Sequence, residues 1–322
     1  MSEIFTHKKG AEILIATYNL CKNYKNATVL DNVNIKLERG KIYGFVGKNG
    51  AGKTTLLKII AGTVNKTSGD YSLFGLTDEA EKMNARKRIG FLIENPVFFS
   101  NFDAMKNLKS SCILRELNGI EGDKVAKKII NLANLDNISD KKISEYSLGM
   151  KQKLGILRTL IGMPEIIILD EPMNGLDPEA TKEIRDIIIK LNREMGVTFL
   201  ISSHILSDLW LIATDYIFIN KGVIMEEISK KNIEGRCKSY LSYGVTDINH
   251  AVKVLREVLK TNNFECVSNQ KPSASKEIRI FDYLDKKEEL AIFLQKNGVM
   301  LTHIESQGIN LEEYFLSLID SK

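Results

Sequence analysis

Predominantly apolar runs recur along the first two thirds of the chain. They lie at residues 42–46, 166–169 and 197–202, and polar residues follow each of them. Runs without polar alternation are typical of strands buried on both faces of a parallel sheet. Within residues 217–225 two short apolar runs flank a Lys-Gly pair, which predicts a β-hairpin. The apolar pattern therefore predicts a parallel sheet with a hairpin after its last strand.

Helical spacing dominates between these strands. Residues 79–165 place Glu, Lys and Leu at helical periods, and a further helix is predicted over roughly 178–195. Between Ile13 and about Lys36, short β-type runs alternate with Asn-rich turns. The predicted order is strand, loop and helix, then a helical insertion, then strand, helix and strand.

The last third of the chain has a different pattern. It reads strand, helix, strand, strand, helix, strand, at about 238–244, 248–260, 263–268, 277–283, 286–296 and 299–305. This is the order of the ferredoxin-like split βαβ motif. A closing helix is predicted over 311–318.

These patterns divide the chain into four parts. Residues 1–12 are predicted to be a leader, and 13–228 a large α/β domain with a helical subdomain at about 95–165. The Glu-, Lys- and Asn-rich residues 229–236 are predicted to be a linker, and 237–322 a small α+β accessory domain.

Composition limits the partners. At 322 residues there is room for one large and one small domain. The net charge of +4, from 45 basic and 41 acidic side chains, is too mild to indicate nucleic acid. No run of about 18 apolar residues occurs, so any membrane span has to come from another chain. The widely spaced cysteines indicate reduced thiols in a cytosolic protein: Cys21, Cys112, Cys237 and Cys266.

A glycine-rich segment follows the first buried run. Gly47 and Gly52, with four residues between them and followed by Lys and Thr, fit the phosphate-binding loop pattern. Such a loop points backbone N–H groups at phosphate oxygens, while Lys53 adds a charge and the Thr54 hydroxyl can bind Mg²⁺. The candidate phosphate-binding residues are Gly47, Lys48, Asn49, Gly50, Ala51, Gly52, Lys53, Thr54 and Thr55.

Two further segments carry candidate chemistry. Asp170 and Glu171 follow a buried run, where Asp170 can hold Mg²⁺ and Glu171 can orient or deprotonate water. The alternative is an ordinary acidic turn after a strand. Ser147 and Gly149 begin an amphipathic helix whose N-terminus can bind a phosphate. The alternative there is a helix with Ser147 as its N-cap.

Together these segments resemble the ATP-binding subunit of an ABC transporter, over residues 13–228. Residues 147–153 occupy the position of that family's signature motif, usually Leu-Ser-Gly-Gly-Gln. Ser147 and Gly149 match it, whereas Tyr146, Leu148 and Met150 depart from it. This form of the signature motif resembles the one in the branch of exporters linked to bacitracin and lantibiotic resistance.

The resemblance implies a fold and a reaction. The fold is α/β, a P-loop NTPase cassette with a RecA-like core, an antiparallel β-subdomain and a helical subdomain, followed by the small ferredoxin-like domain. The reaction is ATP hydrolysis with ATP and Mg²⁺ as cofactors, coupled to movement of a substrate across a membrane.

Several roles follow from position within the family pattern alone. Glu171 is the catalytic carboxylate, and His204 contacts the γ-phosphate. Tyr24 stacks on adenine, unless it is an ordinary strand tyrosine. Glu94 stands where most of the family has Gln, and can contact Mg²⁺ or the attacking water. Asp177 ends the loop that crosses the dimer interface.

The family also implies partners. Two cassettes dimerise head to tail, as a homodimer or with a related ATPase chain, on a separate transmembrane permease. The chain is then cytoplasmic and peripheral on the inner face of the cell membrane. Phe98, Phe99 and Phe102 either contact the permease or belong to the core of the helical subdomain. The substrate class is a peptide antibiotic or another amphipathic molecule.

Two other functions stay open. One is a soluble ABC-type ATPase that acts on DNA or ribosomes. Such proteins usually carry long coiled coils, zinc inserts or two cassettes, and the sequence indicates none of these. The other is the ATPase of a complex that senses an antibiotic and signals to a kinase, which only the partner would distinguish.

Overall fold

The computed structural model describes residues 12–25, 27–236, 240–267, 276–307 and 311–320. These residues form two compact units, one reaching to Lys230 and including the chain end from Ser317, the other Lys231–Leu316. The predicted leader up to residue 11 and Cys237 lie outside the described residues.

The first unit contains both strands and helices. The strands are β1 (Ile13–Tyr24), β2 (Ala27–Val33), β3 (Lys36–Glu38), β4 (Ile42–Val46), β5 (Ser68–Leu73), β6 (Ile89–Leu92), β7 (Ile166–Asp170), β8 (Thr198–Ser203), β9 (Asp215–Asn220) and β10 (Val223–Ser229). The helices are α1 (Lys53–Ile60), α2 (Glu79–Ala85), α3 (Ala104–Leu114), α4 (Gly119–Leu132), α5 (Leu148–Arg158), α6 (Pro178–Met195) and α7 (Leu206–Trp210).

A six-stranded sheet, in the order β10-β9-β4-β8-β7-β6, forms the centre of this unit. Its strands are parallel except β10, which pairs antiparallel with β9 through a two-residue Lys221-Gly222 turn. Both turn residues have positive φ, as the favoured hairpin turns require. β4 and β7 are buried along their whole length because neighbouring layers cover both faces. The predicted parallel sheet and hairpin are confirmed.

β6 is missing from the sequence prediction, which gives helix across this region. Its four residues, Ile89–Leu92, are too few to show a strand period. Pairing with β7 in parallel register makes them a strand, so the tertiary context decides their conformation.

A second, antiparallel sheet contains β2, β1 and β3, with β5 also paired to β1. β1 is one 12-residue strand where the sequence indicates short separate runs. Residues 13–16 of β1 pair with β3, residues 15–21 with β5 and residues 20–24 with β2, and each pairing contains a register shift. Side chains of this sheet, of α1 and of the six-stranded sheet share one buried core, which includes Leu14, Leu56 and Ile168.

The helical segment consists of α3, α4 and α5, and α6 connects β7 to β8. α6 has clear sequence signals, since Asp177 caps its N-terminus, Pro178 is its first residue and Gly196 at φ 67° ends it. No helix in the described part of the chain has both the length and the apolar character needed to cross a bilayer.

The second unit holds a four-stranded antiparallel sheet in the order β12-β13-β11-β14. Its elements are β11 (Tyr240–Val245), α9 (Ile248–Lys253), β12 (Phe264–Val267), β13 (Lys276–Ile280), α10 (Lys287–Lys296) and β14 (Leu301–Gln307). The ferredoxin-like assignment stays a prediction. α8 (Lys230–Arg236) occupies most of the segment predicted as a linker, and α11 (Leu311–Asp320) is the predicted closing helix.

Candidate nucleotide-binding site

The glycine-rich loop connects β4 to α1 at the carboxyl edge of the central sheet. A Cβ on Gly47 would lie 2.5 Å from the Ile219 carbonyl oxygen, and one on Gly52 would lie 2.7 Å from that of Val29. Gly52 also has φ 106°, a conformation that other residues rarely adopt. The tight path of the loop therefore requires glycine at both positions. Between them, Lys48, Asn49 and Gly50 are exposed, so their backbone can face a ligand.

Lys53 places a nearly buried cation inside the loop. Its Nζ donates to the Gly47 carbonyl oxygen at 2.6 Å and lies 3.3 Å from Glu171 Oε1. Only 6% of its side chain is exposed. A buried ammonium needs a negative partner. Here Glu171 is that partner, and a phosphate oxygen can take the same role.

Asp170 is bonded by two hydroxyl groups. Thr54 Oγ1 donates to its Oδ2 at 2.7 Å, and the Ser202 hydroxyl donates to its Oδ1. Parallel pairing of β7 with β8 sets Asp170 directly beside Ser202. The sequence analysis assigned nothing to Ser202. Its position at the end of a buried run next to the Asp170 strand is the signal that points to it.

Glu171 lies between two groups that can bind phosphate. One carboxylate oxygen faces Lys53, and the other is 2.8 Å from His204 Nδ1. Its backbone N–H donates to Ser202 Oγ at 2.9 Å, and its φ of 47° turns the chain away from β7. Backbone strain of this kind costs roughly 1–3 kcal/mol and clusters at functional sites.

Glu94 pairs with a residue on α1 that the sequence analysis did not single out. Lys58 Nζ lies 2.6 Å from Glu94 Oε1, and this hydrogen bond raises the pKa of Lys58. Glu94 also lines a cavity of about 240 Å³. This cavity is lined by Glu94, Asn95, Leu148, Gln152, Asp170, Glu171 and Asn174. The carboxylates predicted from separate segments therefore share one cavity.

The remaining predicted residues have other contacts. Ser147 Oγ accepts a hydrogen bond from the Met150 N–H at 3.2 Å and caps α5. Asp177 caps α6 by accepting from the Ala180 N–H at 2.8 Å. Gly149 packs so closely on α6 that a Cβ there would lie 2.7 Å from Ala180 Cβ. The capping alternative for Ser147 is thus present, although a capping hydroxyl can still donate its own hydrogen.

Tyr24 stands at the end of β1 with 44% of its surface exposed. Lys22 Nζ lies 4.6 Å from the centre of its ring. One ring face is therefore engaged by a cation, and the exposed remainder is available to a planar group.

The chain is similar to known ATP-binding proteins of transporters. The family model for ABC transporters matches residues 30–174. The bacitracin transport ATP-binding protein BcrA of Enterococcus faecalis is 36% identical over 308 residues, which cover 96% of this chain and 97% of that protein. The lantibiotic transport ATP-binding protein SrtF of Streptococcus pyogenes is 41% identical over 214 residues, 66% of this chain and 90% of that one.

A solved structure supports the same assignment. It is a dimeric ATP-binding cassette in a post-hydrolysis state, bound to ADP and Pi. It is 25% identical with a TM-score of 0.61, and covers 67% of this chain and 98% of its own. The resemblance stated from the motifs is confirmed. The chain belongs to the ABC transporter ATP-binding proteins, the family whose cassettes bind and hydrolyse ATP.

Proposed function

We propose that this chain is the ATPase subunit of an ABC exporter and that its residues at the carboxyl edge of the central sheet bind and hydrolyse ATP·Mg²⁺. The observation that carries the proposal is the convergence of Lys53, Asp170, Glu171 and His204 at one edge. These residues come from three segments of the chain, and each has the chemistry that phosphoryl transfer requires.

Thr54, Asp170 and Glu94 would hold Mg²⁺. Their hydroxyl and carboxylate oxygens are the hard donors that this ion prefers. The Thr54–Asp170 hydrogen bond of 2.7 Å shows that two of these donors already converge. Ser202 orients the Asp170 carboxylate from the other side. An Mg²⁺ ion held by these residues would neutralise charge on the β- and γ-phosphates.

Glu171 would act as general base for the attacking water. In the structure its carboxylate is engaged by Lys53 and His204. Phosphate oxygens can replace the Glu171 carboxylate as the partner of both side chains when ATP enters, because they carry more charge. Lys53 then binds the β- and γ-phosphates, His204 donates to the γ-phosphate, and the Glu171 carboxylate is free to accept a proton.

The nucleotide would be shared between two copies of the cassette. The exposed backbone of residues 48–50 faces the phosphates in one copy, and Ser147 and Gly149 at the start of α5 contact the γ-phosphate from the other. Asp177 shapes the loop between the two copies, and Tyr24 stacks on the adenine. The dimeric arrangement of the similar solved cassette supports this part. The partner is a second copy or a related ATPase chain.

A separate permease would dock beside the helical segment. Phe99 and Phe102 are 62% and 42% exposed with ring centres 5.4 Å apart, while Phe98 packs against Arg158. Two exposed adjacent aromatic rings are typical of an interface. Replacing Phe99 and Phe102 together by Ala should release the permease and leave ATP binding intact, and retention of the permease would assign both rings to another role.

The names of the similar bacitracin and lantibiotic transport proteins support a peptide antibiotic as substrate. Affinity capture of the tagged chain from solubilised membranes of its host tests the proposal as a whole. A stoichiometric polytopic membrane protein is the expected result. Recovery with ribosomes or DNA instead would reject the exporter.

A further inference from the structure

Lys58 and Thr54 lie on the same face of α1. They are four residues apart, about one helical turn, so their side chains are neighbours. Thr54 bonds to Asp170, whereas Lys58 bonds to Glu94 at 2.6 Å. One helix face thus reaches two of the carboxylates that line the cavity at the sheet edge.

Two of the three carboxylates that line this cavity each face a lysine. Glu171 faces Lys53 at 3.3 Å and Glu94 faces Lys58 at 2.6 Å. ATP brings several negative charges to the same place, so a carboxylate that turns toward the phosphates repels them. A glutamine at position 94, as in most of the family, would carry no such charge. Glu94 is 65% exposed, so what holds its carboxylate is the contact with Lys58 and not burial.

We propose that Lys58 is a positioning residue of the nucleotide site, which holds the Glu94 carboxylate away from the ATP phosphates until a divalent cation takes it. The inference rests on the proposed function of the site. Two consequences follow. Lys58 matters most for ATP binding when no metal is present, and it matters only while residue 94 is charged.

The test is ATP binding by calorimetry to the full-length chain, in EDTA and in Mg²⁺. The proteins compared are the native chain, K58Q, K58R, E94Q and the K58Q/E94Q double variant. In EDTA we expect K58Q to weaken ATP binding about two- to five-fold, the range of an exposed ion pair. We expect a smaller loss in Mg²⁺, and native affinity for K58R, which keeps the charge.

The double variant separates positioning from simple attraction between Lys58 and ATP. Through-space attraction gives the same loss with either residue at position 94. If Lys58 positions Glu94, K58Q weakens ATP binding in the native background, but the loss of affinity falls below about two-fold in the E94Q background. Such non-additivity is typical of residues in contact. Equal losses in the two backgrounds, or none in either, overturn the inference.

Two controls keep the outcomes distinct. K53A removes the cation inside the phosphate loop and should abolish ATP binding. Failure of the native chain to bind ATP would reject the proposed function, whereas binding that K58Q does not alter rejects only the role of Lys58. Thermal unfolding checks that each variant is folded. K58M, which keeps the aliphatic stem, replaces K58Q if the latter does not fold.

Discussion

Ser202 offers the sharpest test of the site because its one hydroxyl group makes hydrogen bonds with both Asp170 and Glu171. It donates to Asp170 Oδ1 and accepts from the Glu171 backbone N–H at 2.9 Å. The side chain is fully buried, so water cannot replace it in the S202A variant. Hydrogen bonds to charged groups contribute about 1.5–3 kcal/mol, which sets the expected loss in the free energy of unfolding. The same energy lost in the transition state lowers kcat about 10- to 100-fold.

The matched control is Ser203, the next residue of β8. It is also buried, but its hydroxyl bonds only to the backbone of Ile205, accepting from its N–H at 2.9 Å and donating to its carbonyl oxygen at 3.3 Å. S203A should cost about 1 kcal/mol, as a neutral hydrogen bond does, and should leave kcat within a few-fold of native. Urea unfolding and steady-state ATP hydrolysis measure the two quantities. If S202A and S203A lose the same stability and kcat is unchanged in S202A, the assignment of Ser202 to the site is refuted.

Three further predictions address other parts of the molecule. E171Q should lose about 10²- to 10⁴-fold in ATP hydrolysis, as removal of a general base does, and should still form an ATP-dependent dimer. Static light scattering that shows no dimer, even with the permease present, would reject the shared nucleotide site. Y24A should weaken the free energy of ATP binding by roughly 1–3 kcal/mol, the contribution of base stacking, whereas Y24F should bind normally. Equal binding by both variants would make Tyr24 structural. Glu165 is paired with Arg39 and Arg88. Although burial opposes it, hydrogen bonds from Arg88 and Arg39 lower the pKa of Glu165 below its ordinary value. A lowered carboxyl pKa contributes stability that is present above the unfolded pKa of about 4.3 and is lost as pH falls through the folded pKa. The free energy of unfolding in E165Q should therefore fall less steeply between about pH 5 and pH 3, and an unchanged slope would deny the pair this role.

Much of the site could be predicted because its chemistry is local in sequence. The phosphate loop has to be contiguous, since successive backbone N–H groups surround one phosphate. Asp170 and Glu171 follow a buried run, and the carboxyl ends of parallel strands meet at one edge of the sheet. Their location near the glycine-rich loop could therefore be predicted, although the distances could not. The helix α6 was predicted with its observed bounds because a capping Asp, a first-turn Pro and a terminal Gly mark its ends.

Other features could not be predicted because they depend on contacts between distant segments. β6 is a strand through its pairing with β7 and has no period of its own. Ser202 is one of many serines until the β7–β8 register sets it beside Asp170. Lys58 is an ordinary surface lysine on a helix until the backbone at Glu94, with φ 67°, brings a carboxylate within 2.6 Å.

The sequence by itself indicated the family, the glycine-rich loop, the acidic pair and the order of most strands along the chain, because each of these depends on residues that are neighbours in sequence. Only the tertiary structure decided which hydroxyl and ammonium groups bond to the carboxylates of the site. A hydroxyl or an ammonium acquires such a role through a distance of about 3 Å to its partner, and the fold, not the spacing in the chain, sets that distance.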